Sequence, residues 1–158
     1  MKTNKTNAAR LLDKAGISYS LIAYDADEND LSAVHLAEQI GQDVSRVFKT
    51  LVLRGDKNGF FVCVIPGGDE LDLKKAAKVS GNKNCAMIAM KDLLSVTGYI
   101  RGGCSPIGMK KSFPAYIDKT VTQYDYVFVS AGQRGLQFQI APDDLIKETK
   151  ADICDLIV

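Results

Sequence analysis

Val47-Phe48-Lys49-Thr50-Leu51-Val52-Leu53-Arg54, then Gly55-Asp56-Lys57-Asn58-Gly59, then Phe60-Phe61-Val62-Cys63-Val64-Ile65, is the stretch that decides the fold. Two β-branched and aromatic runs flank a segment rich in turn formers, which is the pattern of a β-hairpin. Strands this apolar are expected to be buried on at least one face. A lysine inside one of them, Lys49, must then reach solvent, find a partner or shift its pKa.

Upstream, Ala8, Leu11, Leu12 and Ala15 recur at helical spacing, so a helix is expected from about Asn4 to Ala15, with Gly16 at its C-terminal cap. Ile17–Tyr24 alternates as a strand, with Tyr19, Leu21 and Ala23 on one side, and acidic Asp25–Asp30 reads as a loop. Ser32 is a good N-cap for a helix ending at Gly41, with Val34, Ala37 and Ile40 as its buried stripe. Downstream, Asp72 can cap a helix over Leu73–Val79, and Met90–Val96 suggests another short one. Thr97–Pro114 is glycine-rich and reads as a loop with defined turns. Tyr116–Asp118, Tyr126–Ser130 and Leu136–Ile140 are expected strands, the last two joined by Ala131–Gly135, and Pro142 suits the first turn of a final helix. Helices interspersed with two hairpins predict an α/β fold with a mixed or antiparallel sheet rather than a doubly wound parallel one.

The 158 residues fit one domain, expected over residues 1–158, and 46% hydrophobic with 25% charged residues is ordinary for a soluble globular protein. No apolar run is long enough to span a bilayer and Met1–Arg10 is polar, so the expected location is cytoplasmic, with no membrane partner. Cys63, Cys85, Cys104 and Cys154 form no C-x-x-C pair and His35 is the only histidine, so neither a metal nor another cofactor is expected. A net charge of +1 gives no global attraction for nucleic acid, so RNA contact would need a local patch. Lys74, Lys75 and Lys78 on the third helix, with Lys83, form such a patch, which Lys110 and Lys111 would extend; a solvated helix face is the plainer reading.

Familiar catalytic patterns fit poorly. His35 lies in Ala33-Val34-His35-Leu36-Ala37 on an expected helix, as an ordinary packed or surface histidine would. Ser105 follows Gly103, but Ile107 replaces the second glycine of a G-x-S-x-G elbow. Cys104 has no histidine near it in sequence to activate it. No glycine pattern matches a P-loop or a dinucleotide fingerprint. Two features remain. One is Lys49 in its apolar strand. The other is Gly102-Gly103-Cys104-Ser105-Pro106, where glycines allow close backbone approach and can present N–H groups to a developing oxyanion.

Together these segments resemble the YbaK/EbsC family, relatives of the editing domain inserted in bacterial prolyl-tRNA synthetases. The resemblance rests on Val47-Phe48-Lys49-Thr50-Leu51, Leu71-Asp72-Leu73-Lys74-Lys75, Gly98-Tyr99 followed by Gly102 to Gly108, and Ser130 to Leu136. It implies an α/β domain with a mixed, barrel-like sheet and hydrolysis of the ester of mischarged tRNA, Cys-tRNA(Pro) foremost. The implied partners are the tRNA acceptor end and prolyl-tRNA synthetase. By motif, Lys49 would hold a phosphate or the terminal nucleotide, and Tyr24, Thr50 and Gly132 would help line the site. Gly102, Gly103, Cys104, Ser105 and Pro106 would shape the amino-acid pocket and offer backbone donors, and Ser130 would contact the ligand. Gln137 stands where the family carries an aspartate, which opens a second reading: a binding module that hydrolyses weakly or not at all.

Overall fold

A computed structural model of the chain describes residues 5–158. The first helix, α1, runs Asn7–Lys14, with the Thr6 side chain accepting from the Ala9 N–H as its cap; Asn4 lies outside the described residues. Strand β1 is Tyr19–Ala23, and α2 is Ala33–Ile40 between the Ser32 cap and a left-handed Gly41. The hairpin is β2 (Phe48–Gly55) and β3 (Gly59–Pro66), followed by α3 (Leu73–Val79). Then come β4 (Cys85–Met87), α4 (Leu93–Thr97), β5 (Ala115–Asp118), β6 (Val127–Gln133), β7 (Leu136–Ile140), α5 (Pro142–Thr149) and β8 (Asp152–Cys154). Among the described residues no helix is long and apolar enough to cross a membrane.

The strands form two sheets, ordered β1-β7-β6 and β4-β2-β3-β5-β8. The first is antiparallel, while the second is mixed, because β3–β5 and β5–β8 pair in parallel. The chain is therefore an α/β domain, as the sequence suggests, but its sheet does not close into the barrel-like form that the resemblance implies. One parallel bridge, Val47 to Phe128, joins the two sheets among the described residues.

The hairpin is largely apolar because both of its faces are buried along most of its length. Phe48, Val52, Val62 and Val64 enter the main core with α1, β6, β7 and α5, whereas Leu53, Phe61, Cys63 and Ile65 pack on α3 and Leu156. A third, smaller cluster joins Ala37 of α2 to Val47 and Phe128. Its helical contributors are Ala33, Leu36 and Ile40; Val34, expected to be buried, is 48% exposed. Ala37 and Ile40 of the expected stripe therefore pack inward, and Ala33 and Leu36 take the place of Val34, because α2 rests on the start of β2 and on β6.

Two other expectations are adjusted. Strand β6 runs on to Gln133, with a bulge between Ser130 and Gln133, so the connection to β7 is only Arg134-Gly135. Gly132 takes φ +104° inside that bulge, a conformation that hides a strand behind a loop-like sequence. The short strands β4 and β8 leave no clear signal, since both lie at the edges of their sheet and are largely exposed.

Close packing of α2 on the end of β3 depends on one glycine. A Cβ at Gly67 would lie 2.2 Å from Ala33 Cβ and 2.9 Å from Val47 O. Neither neighbour can move without shifting α2 or β2. Gly67→Ala is therefore expected to lower stability by about 1–3 kcal/mol, read as an earlier urea-unfolding midpoint with the slope unchanged.

Candidate functional site

Beyond the Val47–Phe128 bridge, β2 and β6 run in the same direction without further ladder pairing. A cavity of about 380 Å³ occupies this fork. Lys49, Thr50, Leu51 and Val52 form one wall, and Ser130 with its directly opposed partner Gln137 forms another. The start of α2 contributes Leu31 to Ala33 and Leu36; Gly102 and Cys104 close a further side. The sequence-chosen residues Lys49, Thr50, Gly102, Cys104, Ser130 and Gln137 thus meet around one space. Tyr24, Gly103, Ser105, Pro106 and Gly132 do not line it.

Lys49 is only partly exposed. Its Nζ donates to Gly67 O at 3.2 Å, and among the described residues it makes no ion pair. Burial lowers its pKa from 10.5, opposed by the charges of Asp69 and Glu70. The result is a cation with one backbone partner and spare donors beside the cavity. Two buried side-chain oxygens also stand without a hydrogen bond among the described residues, Thr50 Oγ1 and Gln137 Oε1. Both residues line this cavity. Buried polar atoms are normally paired, so two orphans within the walls of one cavity are an exception to the rule.

The glycine loop is held from behind. Gly103 donates its N–H to Ile100 O at 3.0 Å, so this donor, expected to face substrate, is engaged within its own turn. Its reason to be glycine is contact: a Cβ there would meet Gln133 Cα at 3.1 Å and Arg134 N at 3.2 Å. Gly102, at φ +83°, and Cys104 both reach the cavity, and their N–H groups have no hydrogen-bond partner among the described residues. Arg134 braces the loop from the β6–β7 turn, donating from Nε to Arg101 O at 2.8 Å, with Glu28 3.8 Å from its Nη1. Tyr99 donates to Ile107 O and packs on Gly132, and its burial pushes the phenol up to about 12.

The residues outside the cavity hold positions around it. Ser105 is fully buried and accepts from Ile107 N at 3.2 Å, and Pro106 follows it. Tyr24 donates its N–H to Gly135 O at 3.0 Å, tying the end of β1 to the β6–β7 turn. Burial drives the Cys104 thiol up to about 12, so it stays protonated at neutral pH and is no ready nucleophile. His35 sits outside the cavity, 3.3 Å from Asp27 and 3.8 Å from Glu38. Among the described residues no group of three or more His, Cys, Asp or Glu side chains is placed to hold a metal ion.

Sequence reasoning missed part of the lining. Leu31, Leu36, Met87, Met90 and Arg101 all reach the cavity. Arg101 was findable, since it directly precedes the glycines of the loop. Met87 and Met90 were not, because only the unforeseen edge strand β4 and the turn that follows it bring them to the fork. On the basic helix, Lys75 is committed to Asp155 at 3.0 Å and Ile157 O at 2.7 Å. Lys74 and Lys78 are exposed and make no ion pair among the described residues.

Comparison with known proteins fits this geometry. Residues 27–148 match the family model for the aminoacyl-tRNA editing domain. The chain is 48% identical over 152 residues to an Enterococcus faecalis protein described as a proposed Cys-tRNA(Pro)/Cys-tRNA(Cys) deacylase, EbsC, covering 96% of this chain and 93% of that one. A solved structure of a proposed trans-editing enzyme for prolyl-tRNA synthetase superposes with a TM-score of 0.82 at 25% identity, over 98% of this chain and 99% of that one. A second, of a hypothetical protein 20% identical, shares the fold with a TM-score of 0.85 over 94% of this chain and 97% of that one. With its cavity built in the fork of two sheets and its family model spanning most of its length, the chain belongs to the aminoacyl-tRNA editing domain family.

Proposed function

We propose that the chain is a trans-acting deacylase that hydrolyses the ester of mischarged tRNA, with Cys-tRNA(Pro) as its principal substrate and prolyl-tRNA synthetase as the enzyme whose errors it clears. The observation that carries this reading is the meeting, around one cavity, of Lys49, which makes no ion pair among the described residues, with Gly102 and Cys104, whose N–H groups have no partner among them. The description of the Enterococcus faecalis relative supports the choice of amino acid and tRNA.

An aminoacyl ester carries a good leaving group, so positioning and oxyanion stabilisation supply most of what its hydrolysis needs. In this reading Lys49 holds a phosphate or the terminal nucleotide. The N–H groups of Gly102 and Cys104 receive the negative charge that develops on the ester carbonyl oxygen. The apolar side chains of Leu31 and Leu36 enclose a small amino-acid side chain, while Thr50, Ser130 and Gln137 offer hydrogen bonds to its polar groups. With a cysteinyl substrate, its own thiol attacks the ester carbonyl carbon and the C–O bond to ribose breaks. The thiol proton passes to the departing ribose oxygen, and water then opens the cyclic thioester to free cysteine. The attacking sulfur is the substrate's, in keeping with the protonated state of Cys104.

A second reading, a binding module without turnover, draws on Gln137, a neutral amide with an unpaired oxygen in the cavity wall. The two readings separate on purified protein given Cys-, Ala-, Ser- and Pro-tRNA(Pro). Selective release of cysteine, reduced by about 10²-fold in Lys49→Ala, is the expected result; tRNA retained with no amino acid released would favour the module.

The lowered pKa of Lys49 has two consequences of opposite sign. The unfolded chain binds the proton more tightly than the folded one, so this residue's contribution to stability rises with pH between its folded value and 10.5. At neutral pH the folded protein bears the full cost of the buried charge, and Lys49→Met is expected to raise the melting temperature there. Anion affinity runs the other way. Binding of adenosine monophosphate, followed by calorimetry, should fall on the alkaline side before 10.5 is reached, and Lys49→Arg should remove that decline.

Exposed Lys74 and Lys78 give the tRNA body a surface to approach. Reversing both charges is expected to weaken tRNA binding and reduce the slope of log affinity against log salt by about 1–2. Lys75→Glu should instead loosen the C-terminal segment through Asp155, visible as a lower melting temperature.

A further inference from the structure

A second concavity adjoins the first. It is a groove of about 750 Å³, open to solvent, whose lining shares Met87 and Ile88 with the cavity in the fork. The groove exists because β2 changes neighbours. On the face that carries Val52 into the core, the next position is Arg54, directly opposed by Phe60 on β3 and Ala86 on β4. The buried face of the sheet therefore emerges into water as a row of one small side chain, one cation and one aromatic ring.

The chemistry of this row is specific. The Arg54 guanidinium lies 5.8 Å from the Phe60 ring centroid, within cation–π range, and has no carboxylate partner among the described residues. Phe60 also meets Phe113 edge to face, ring centroids 5.9 Å apart and nearly perpendicular. Of the two acids that line the groove, Asp56 is occupied by the N–H groups of Lys83 and Asn84, at 2.9 and 3.1 Å. The other, Asp92, has no hydrogen bond to its carboxylate among the described residues. An unneutralised arginine against an aromatic ring, with a free carboxylate nearby, is suited to a single-stranded nucleotide: a base to stack, a phosphate to neutralise and an exocyclic amine to accept from.

We propose that this groove receives the single-stranded nucleotides that precede the terminal adenosine of tRNA, with Phe60 and Arg54 as the stacking and phosphate-binding pair and Asp92 as an acceptor for a cytosine amine. The inference rests on the deacylase reading for what occupies the adjoining cavity. Continuity through Met87 and Ile88 supplies the direction: a chain whose last residue lies in the fork leaves it over these two side chains. The groove's volume suits one or two nucleotides, and its open side accommodates a strand that continues outward.

The test compares cysteinyl-adenosine 5′-monophosphate with cysteinyl-CCA as substrates for the unaltered protein, Arg54→Gln and Phe60→Leu, alongside fluorescence anisotropy of an uncharged, 5′-labelled ACCA RNA. The expected result is a preference for cysteinyl-CCA of about tenfold in kcat/KM. Each variant should lose it, while turnover of the mononucleotide ester, which carries the phosphate assigned to Lys49 but is too short to reach the groove, stays as in the unaltered protein. Equal kcat/KM for the two substrates, or a preference that survives both variants, would overturn the groove and leave the deacylase reading standing. If neither substrate is hydrolysed, the deacylase reading falls and the RNA decides alone. Binding that weakens by about tenfold in both variants supports the groove; binding that is absent, or unchanged by them, overturns it.

Discussion

One backbone bridge among the described residues, Val47 to Phe128, ties β2 to β6 and marks where the two strands part. Lys49, Thr50 and Ser130 lie just beyond that junction. On one side of it β2 carries Lys49 and Thr50, and on the other β6 carries Ser130 beside Gln137. The junction is reinforced by Arg46, which donates to Asp125 at 2.9 Å and to Tyr126 O at 3.0 Å while stacking 4.2 Å from the Tyr126 ring centroid. Had the two strands stayed paired, the fork would be an ordinary ladder and the cavity would not exist. The core shared by β2, β3, β6 and β7 fixes the distance between its walls.

The site is also where the fold tolerates what it avoids elsewhere. A half-buried cation with one backbone partner, two orphaned buried oxygens and two free N–H groups surround the same space. Each opposes stability in isolation. Their concentration on one cavity, against a core in which Leu53, Val64, Ile117 and Phe138 are wholly buried, shows a local sacrifice held in place by tight packing around it. The glycines follow the same logic. Gly67 and Gly103 are required by close approach of neighbouring chain, and Gly102 and Gly132 by their positive φ.

Much of the architecture was legible because its signals are local. The hairpin, the Ser32 and Asp72 caps, the Gly41 stop and Pro142 at the start of α5 each follow from short-range chemistry that burial then reinforces. The family motifs singled out Lys49, Thr50, Gly102, Cys104, Ser130 and Gln137, and these six line one cavity. What escaped was decided by distant parts of the chain. The division into two sheets depends on where β2 and β6 separate, and no residue type announces that. The engaged N–H of Gly103 depends on the Ile100 carbonyl in a loop whose turns cannot be read from glycine content. Met87 enters the site through an edge strand too short and too exposed to stand out, and Met90 through the turn that follows it.

The bridge between Val47 and Phe128 also orders events in time. The hairpin of β2 and β3 can form from residues near one another, but its junction with β6 must wait until a long intervening segment has been brought round. The walls of the fork then come together after the hairpin they are built on. Truncations at the fork should for that reason act chiefly on the rate of unfolding, whereas truncations inside the hairpin should slow folding. A protein arranged in this way gathers its reactive surface only once its scaffold is nearly complete, so that partly folded chains carry the motif without the means to use it.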